Sequence, residues 1–169
     1  MHLMHQVKAN SACGKRIRLP GRAGVHGFTL IELMVVLGII AILAAIAYPS
    51  YIGSVVKSHR AAAEGCLSEH ANFMERYYTT NLGYDKDTGN VAIGGAGGPT
   101  LPALGCDTEG GMANNYAFSF AVAPTASTYT IRAVPKLAQA KRDTKCGTLS
   151  LDQTGARAVS GTGSVPDCW

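Results

Sequence analysis

One carboxylate stands inside a long apolar run near the start of this chain. The run extends over 21 residues from Phe28 to Tyr48, and Glu32 is the only charged residue in it. A helix of this length is roughly 31 Å long, which matches the hydrocarbon core of a bilayer. A carboxylate within such a span costs about 2.5–3.5 kcal/mol, so we expect Glu32 to have a function and a charged partner.

The residues before the run indicate that partner. If the chain is cut after Gly27, the new α-amine on Phe28 is mostly protonated at neutral pH and lies one helical turn from Glu32. The stretch Gly27-Phe28-Thr29-Leu30-Ile31-Glu32 resembles the signature of type IV prepilins. This resemblance implies that a prepilin peptidase cuts after Gly27 and methylates Phe28. It also implies that Glu32 neutralises the terminal amine of a neighbouring subunit during filament assembly.

A secretory signal peptide is the alternative interpretation of the same segment. Ala45-Ile46-Ala47 fits a signal-peptidase site, and the mature protein would then begin at Tyr48. However, the amphipathic pattern continues beyond Ala47, and a signal peptide has no need of Glu32. We therefore favour the prepilin interpretation, with a leader at 1–27, a transmembrane and filament-core helix at 28–48, and a periplasmic or extracellular head at 49–169.

Charge divides the chain at the same boundary. Residues 1–27 contain five Lys and Arg and no acid, which leaves ten basic and eleven acidic residues in 28–169. The net charge of +4 therefore belongs to the leader and does not indicate nucleic-acid binding. A basic flank before a span stays in the cytoplasm, which predicts that the head lies outside it.

Hydrophobic periodicity predicts an α+β head. Apolar residues recur at helical spacing from Ile52 to Tyr78, which together with the apolar run predicts one long helix, kinked at Pro49. The other side of this helix carries charged residues, among them Lys57 and Arg60. We expect the amphipathic half of the helix to pack on a small four-stranded antiparallel sheet. The predicted strands are 116–122, 128–134, 148–151 and 157–160. The Gly-rich residues 81–115 should form a surface loop or a partly disordered segment.

Four cysteines follow the span, with no C-x-x-C spacing: Cys66, Cys106, Cys146 and Cys168. An even set outside the cytoplasm predicts two disulfides, for which three pairings are possible. We favour Cys146–Cys168, which staples the C-terminal end and is worth roughly 3 kcal/mol, with Cys66–Cys106 tying the long loop to the helix. The segment from Cys146 to Trp169 also resembles the C-terminal end of PilE-type minor pilins of type IVa pili.

No motif for catalysis stands out, so we predict a structural subunit that is not an enzyme and needs no cofactor. His70 lies one turn after Cys66 and could share a metal with it, but the oxidising setting favours a disulfide and no metal. Asp85–Asn90 begins like a calcium loop, yet Ala96 stands where a Glu is required, which favours an acidic turn.

A basic stretch lies in the residues before Cys146. It contains Arg132, Lys136, Lys141, Arg142 and Lys145. A solvated loop is the usual explanation of such a run, and contact with DNA or a surface is the alternative.

The resemblance predicts a minor pilin of a type IV pilus. Such a subunit resides in the inner membrane and then in a pilus on the cell surface. Its partners would be other pilins, the prepilin peptidase, the inner-membrane assembly platform and the membrane itself. A pseudopilin of a type II secretion system and a secreted binding module are the alternatives. Twitching motility, adhesion and DNA uptake all remain open as roles.

Overall fold

The computed structural model describes residues 27–169. The leader expected at 1–27 therefore lies, except for Gly27, outside the described residues, as does Cys13. Contacts within the chain separate residues up to Ala41 from a second compact unit, Ile42–Trp169.

A single helix, α1, extends over 52 residues from Leu30 to Asn81. Thr29 caps its start, because the Thr29 Oγ1 accepts a hydrogen bond from the backbone N–H of Glu32 at 3.2 Å. Pro49 lies inside the helix, where it lacks the N–H that would bond the carbonyl of Ala45. By length and composition, α1 is long and apolar enough to cross a membrane, and no residue of its apolar window is buried.

The second half of α1 has one buried face, as its periodicity predicts. The residues buried on it are Val56, Ala63, Cys66, Leu67, His70 and Met74. Arg60 was assigned to the opposite, charged side of the helix, yet its side chain is only 11% exposed and forms an ion pair with Asp143. That partner lies 83 residues away along the chain, so helical spacing alone could not reveal it.

The sheet is an antiparallel meander of four strands in the order β1-β2-β3-β4, as predicted. Inward residues of β2 and β3 pack on α1, whose Leu67 is fully buried in the same core as Ile131 and Leu149. The strands are β1 (Tyr116–Phe120), β2 (Thr130–Pro135), β3 (Leu149–Asp152) and β4 (Arg157–Val159). Every buried residue of the described chain lies between Val56 and Cys168, so the second unit contains a core of its own.

The connection between α1 and β1 is packed against the core. Tyr84, Ile93 and Met112 are buried in it, and a short helix, α2 (Met112–Asn115), precedes β1. Two further short helices follow later in the chain, α3 (Leu137–Arg142) and α4 (Val165–Cys168). The basic stretch is therefore not a loop throughout. It begins inside β2, continues through α3 and only then enters a turn.

Candidate functional site

The residues expected to act in processing and assembly lie at the start of α1. Phe28 is 81% exposed, and Glu32 is exposed in the first turn of the helix. The helix begins at Leu30, so Phe28 and Thr29 precede it, which places its start two residues later than expected. The roles given to Gly27, Phe28 and Glu32 stay predictions.

Two disulfides hold the head together. Cys66 is bonded to Cys106 and Cys146 to Cys168, with Cα atoms 5.5 Å apart in each pair. This is the pairing that we favoured from the sequence. The first bond joins α1 to the connection before β1, and the second joins the residues after α3 to α4.

A buried polar network fixes α3 against α1. The Asp143 carboxylate accepts hydrogen bonds from Arg60 at 2.6 Å and from the Tyr116 hydroxyl at 3.2 Å. Gln139 donates from Nε2 to the same carboxylate at 3.2 Å and to the backbone carbonyl of Val56 at 3.1 Å. Burial raises the pKa of Tyr116, so its hydroxyl remains a hydrogen-bond donor at neutral pH. The position of α3 therefore depends on this network.

Only part of the basic stretch is free to meet a ligand. Arg132 lies in β2 and donates from Nε to the Ser119 hydroxyl at 3.1 Å, while Lys136 donates to the backbone carbonyl of Ala113 at 2.5 Å. Lys141 and Arg142 are exposed in the last turn of α3. The basic stretch thus contains two kinds of cation. Arg132 and Lys136 are half-buried and have partners, whereas those that follow from Lys141 onward are exposed.

Lys145 completes the exposed group at the end of α3. It is 64% exposed and pairs with Asp167 at 3.3 Å, a surface ion pair that is worth little. A hydrogen bond from Ser164 and, to a smaller extent, one from Lys145 lower the pKa of Asp167. Because the pair is open to solvent, Lys145 remains available to a stronger anionic partner.

A groove of about 580 Å³ lies beside this exposed group. Lys57 of α1 lines this groove together with Arg142 and Lys145. Ile52 and Val56 form an apolar part of its wall. Sequence reasoning missed Lys57 as a member of this cluster. The only available signal was its place on the charged face of α1, which does not show that α3 folds beside it.

The candidate metal ligands at Cys66 and His70 also come together. Atoms of Cys66, His70, Cys106 and Asp107 lie within 4.8 Å of one another. Sequence reasoning did not find Asp107, whose Oδ1 lies 2.7 Å from Nε2 of His70. The two cysteines are bonded to each other, so the group as described holds a disulfide where thiolates would be needed for a metal.

The calcium-like segment is a turn held by its own carboxylate. Oδ1 of Asp87 accepts hydrogen bonds from the backbone N–H groups of Gly89 at 2.8 Å and Val91 at 2.9 Å. Oδ1 of Asp87 thus closes a local turn by accepting from two backbone N–H groups that follow it. The geometry is that of the acidic turn favoured from the sequence.

Comparison with known proteins identifies the family. The family model described as "Type IV minor pilin ComP, DNA uptake sequence receptor" matches residues 49–150, which is more than half of the chain. The chain belongs to this family of type IV minor pilins. The model of the prokaryotic N-terminal methylation motif matches residues 22–48. Both matches confirm the resemblance to type IV pilins that the sequence indicated.

Two curated relatives match parts of this minor pilin. The fimbrial protein EcpC of Eikenella corrodens is 41% identical over 68 residues, which are 40% of this chain and 43% of EcpC. The type IV wide pilus major component PilA4 of Thermus thermophilus is 38% identical over 58 residues, 34% of this chain and 44% of PilA4. The chain thus spans less than half the length of these relatives.

A solved structure of a type IV pilin from Shewanella oneidensis also matches the minor pilin. The two are 23% identical, and the match has a TM-score of 0.43. It covers 68% of this chain and 97% of that pilin.

Proposed function

We propose that this minor pilin is cut after Gly27, methylated on Phe28 and held in the inner membrane by residues 28–48 until it is assembled into a type IV pilus. Its head, residues 49–169, then lies on the cell surface and binds duplex DNA. The match of residues 49–150 to a family described as a DNA uptake sequence receptor is the observation that carries the DNA assignment.

The processing step rests on the methylation motif and on the position of Glu32. Mass spectrometry of the mature N-terminus should find methylated Phe28, whereas a mature start at Tyr48 would mean that an ordinary signal peptidase acts instead. Pili should also be sheared from cells that produce a Glu32→Ala variant. We expect this variant in the membrane at normal levels, since a charge is removed from the apolar span, but depleted in the pili.

A matched control separates the role of Glu32 from a general effect of charge. Glu69 is an exposed acid on the same helix, within the head. The Glu69→Ala variant should enter pili normally. If the Glu32→Ala protein enters pili as well as the Glu69→Ala protein does, the proposed charge pairing with a neighbouring amine is wrong.

The DNA contact would be made by the exposed cations at the end of α3. Lys141, Arg142 and Lys145 lie within five positions of one another and are all exposed, and Lys57 joins them across the groove. Phosphate contacts supply most of the salt-dependent affinity for DNA and fix the orientation of the protein on the duplex. Arg132 and Lys136 would contribute less, because each already has a partner within the head.

Salt titration of DNA binding tests this assignment. The affinity for duplex DNA should fall with salt, with a log–log slope of about −0.9 for each phosphate contacted. The triple variant Lys141→Gln, Arg142→Gln, Lys145→Gln should flatten the slope by roughly two to three units. A control that replaces the exposed Arg76 and Lys86 by Gln removes charge elsewhere in the head and should leave the slope nearly unchanged.

Two results would contradict the DNA assignment. One is the absence of measurable binding at about 50 mM salt, where phosphate contacts are strong. The other is a slope that is the same in the triple variant and the control. A deletion strain scored separately for piliation, twitching and DNA uptake would then show which role the subunit has in the pilus.

A further inference from the structure

The basic groove beside α3 begins where the apolar run of α1 ends. Pro49 lines the groove and directly follows Tyr48, the last residue of that run. Lys57 lies nine positions after Tyr48, which is about 14 Å along the helix. The amide of Gln139 in α3 reaches the carbonyl of Val56 at 3.1 Å, so α3 lies at the same level of α1 as Lys57.

The groove has a net positive charge. Its two acids, Asp143 and Asp167, each pair with a cation that lines the same groove. Lys57 and Arg142 also line it, and they form no ion pair within the part of the chain that the structure describes. Lys141, which directly precedes Arg142, is exposed as well. The groove therefore has two positive charges left over for an anionic partner, with a third beside them.

The residues that lead into the groove fit the interface of a membrane. Tyr48 and Tyr51 are each 66% exposed. Tyrosine is enriched at the level of lipid headgroups, which form a layer about 5–8 Å thick on each side of the hydrocarbon core. A charge acts over a Debye length of about 8 Å at physiological salt, and lysine side chains extend toward the interface. Lys57 is therefore within reach of headgroup charges when Tyr48 lies at the edge of the hydrocarbon core.

We propose that the groove binds the phosphate groups of anionic phospholipids while the subunit is held in the inner membrane. The inference rests on the proposed span at 28–48, and it assigns an earlier partner to the cations proposed to bind DNA. A phospholipid headgroup and a DNA backbone both present a phosphodiester anion, so the same cations can bind each in turn. Assembly into a pilus withdraws α1 from the lipid, and only then do these cations become available to DNA.

Weak contacts are sufficient for this binding. The span holds the groove beside the headgroups, so each contact forms at a high effective concentration of lipid. Lys145 can exchange its exposed partner Asp167 for a phosphate, since the pair is open to solvent. Arg60 stays with Asp143, because both side chains are nearly buried.

Acetylation of lysines in lipid nanodiscs tests the proposal. The full chain is inserted into nanodiscs of phosphatidylcholine alone, or of phosphatidylcholine with about one third of the anionic lipid phosphatidylglycerol. A water-soluble acetylating reagent is added at low salt, and peptide mass spectrometry follows each lysine. Acetylation of Lys57 and Lys145 should be about fivefold slower in the anionic nanodiscs, the factor for one cation near an anionic surface. Salt at about 1 M should remove the difference, because it shortens the Debye length to about 3 Å.

Lys86 is an internal control in the same molecule. It is exposed, and the backbone N–H of Thr88 nearby donates to the side chain of Asn81, which ends α1 about 50 Å along the helix from Tyr48. Lys86 should therefore be acetylated equally fast in both kinds of nanodisc. Equal slowing of Lys86 and Lys57, or no slowing of Lys57, would overturn the proposal.

The triple variant Lys141→Gln, Arg142→Gln, Lys145→Gln separates lipid binding by the groove from mere nearness to the membrane. The slowing at Lys57 should shrink to less than about twofold in this variant, since the neighbouring cations no longer hold the headgroups. The control that replaces Arg76 and Lys86 by Gln should keep the full slowing. If Lys57 is slowed equally in the triple variant and the control, the groove is not a lipid site.

The outcomes also distinguish this inference from the proposed function. A chain that inserts into neither kind of nanodisc would contradict the span, and the lipid site with it. If Lys57 is slowed but the chain in detergent does not bind duplex DNA, the lipid site stands and the DNA assignment fails. If DNA binds in detergent and Lys57 is not slowed, the lipid site alone is wrong.

Discussion

Replacing Asp143 by alanine should lower the free energy of unfolding of the head by about 3–5 kcal/mol. This carboxylate is 3% exposed, and it receives hydrogen bonds from Arg60, Tyr116 and Gln139. Without it, the guanidinium of Arg60, which is 11% exposed, loses its counter-charge in a nearly dry site. The cost is large because an unpaired buried charge remains, and not because the pair itself is strongly stabilising.

The opposite variant, Arg60→Met, should lower the free energy of unfolding by less than Asp143→Ala does. The carboxylate of Asp143 then keeps two donors, the Tyr116 hydroxyl and the Gln139 amide, so it is not left without partners. The double variant Arg60→Met, Asp143→Ala removes both charges. Its loss should therefore be smaller than the sum of the single losses by about 0.5–3 kcal/mol, the range measured for residues in contact.

Urea denaturation of the oxidised head, residues 49–169, followed by circular dichroism, measures these losses. This segment contains every buried residue of the described chain and both disulfides. Glu69→Ala, an exposed change on the same helix, should stay within about 0.5 kcal/mol of the parent. Strictly additive losses, or a loss below about 1 kcal/mol for Asp143→Ala, would refute the argument for a buried ion pair.

The double variant Cys146→Ser, Cys168→Ser should lower the free energy of unfolding by roughly 3 kcal/mol in urea denaturation, because an open chain gains entropy when it unfolds. A hydrogen bond from Thr154 lowers the pKa of Asp152, so its contribution to stability is present above the unfolded-state pKa and lost as pH falls through the folded one. Thermal melts of Asp152→Asn should accordingly depend less on pH below about pH 4. Gly161→Ala places its Cβ against a backbone carbonyl and should cost about 1–3 kcal/mol, measured by the same urea denaturation.

Long periodic elements of this fold were predictable from local pattern. The buried positions of α1 repeat at helical spacing, and β2 alternates between buried Ile131 and Ala133 and half-buried Arg132. The disulfide pairing in the structure is the one of three possible pairings that was favoured because it staples the C-terminal end and ties the long loop to the helix. The strand ends differ by up to two residues, because end residues are set by neighbouring strands and not by propensity.

The features that were missed depend on contacts distant in sequence. α3 has six residues and no side-chain cap, and it is held by Gln139, whose amide reaches α1. Such a helix is too short to be stable alone, so its sequence carries little signal. Asp107 was missed for a similar reason, since its partner His70 lies 37 residues earlier.

Three residues of α1 connect this helix to later segments of the head. Arg60 binds Asp143, Cys66 is bonded to Cys106, and His70 contacts Asp107, all within about 15 Å of helix. The proposed DNA-binding cations lie outside this network, at the exposed end of α3, so their replacement by Gln should leave the unfolding free energy within about 0.5 kcal/mol. Arg60→Met then distinguishes two sources of DNA affinity. If it lowers stability and leaves the salt slope unchanged, the number of phosphate contacts does not depend on the anchoring of α3 by this pair. If the slope also flattens, the buried pair positions the cations on the duplex.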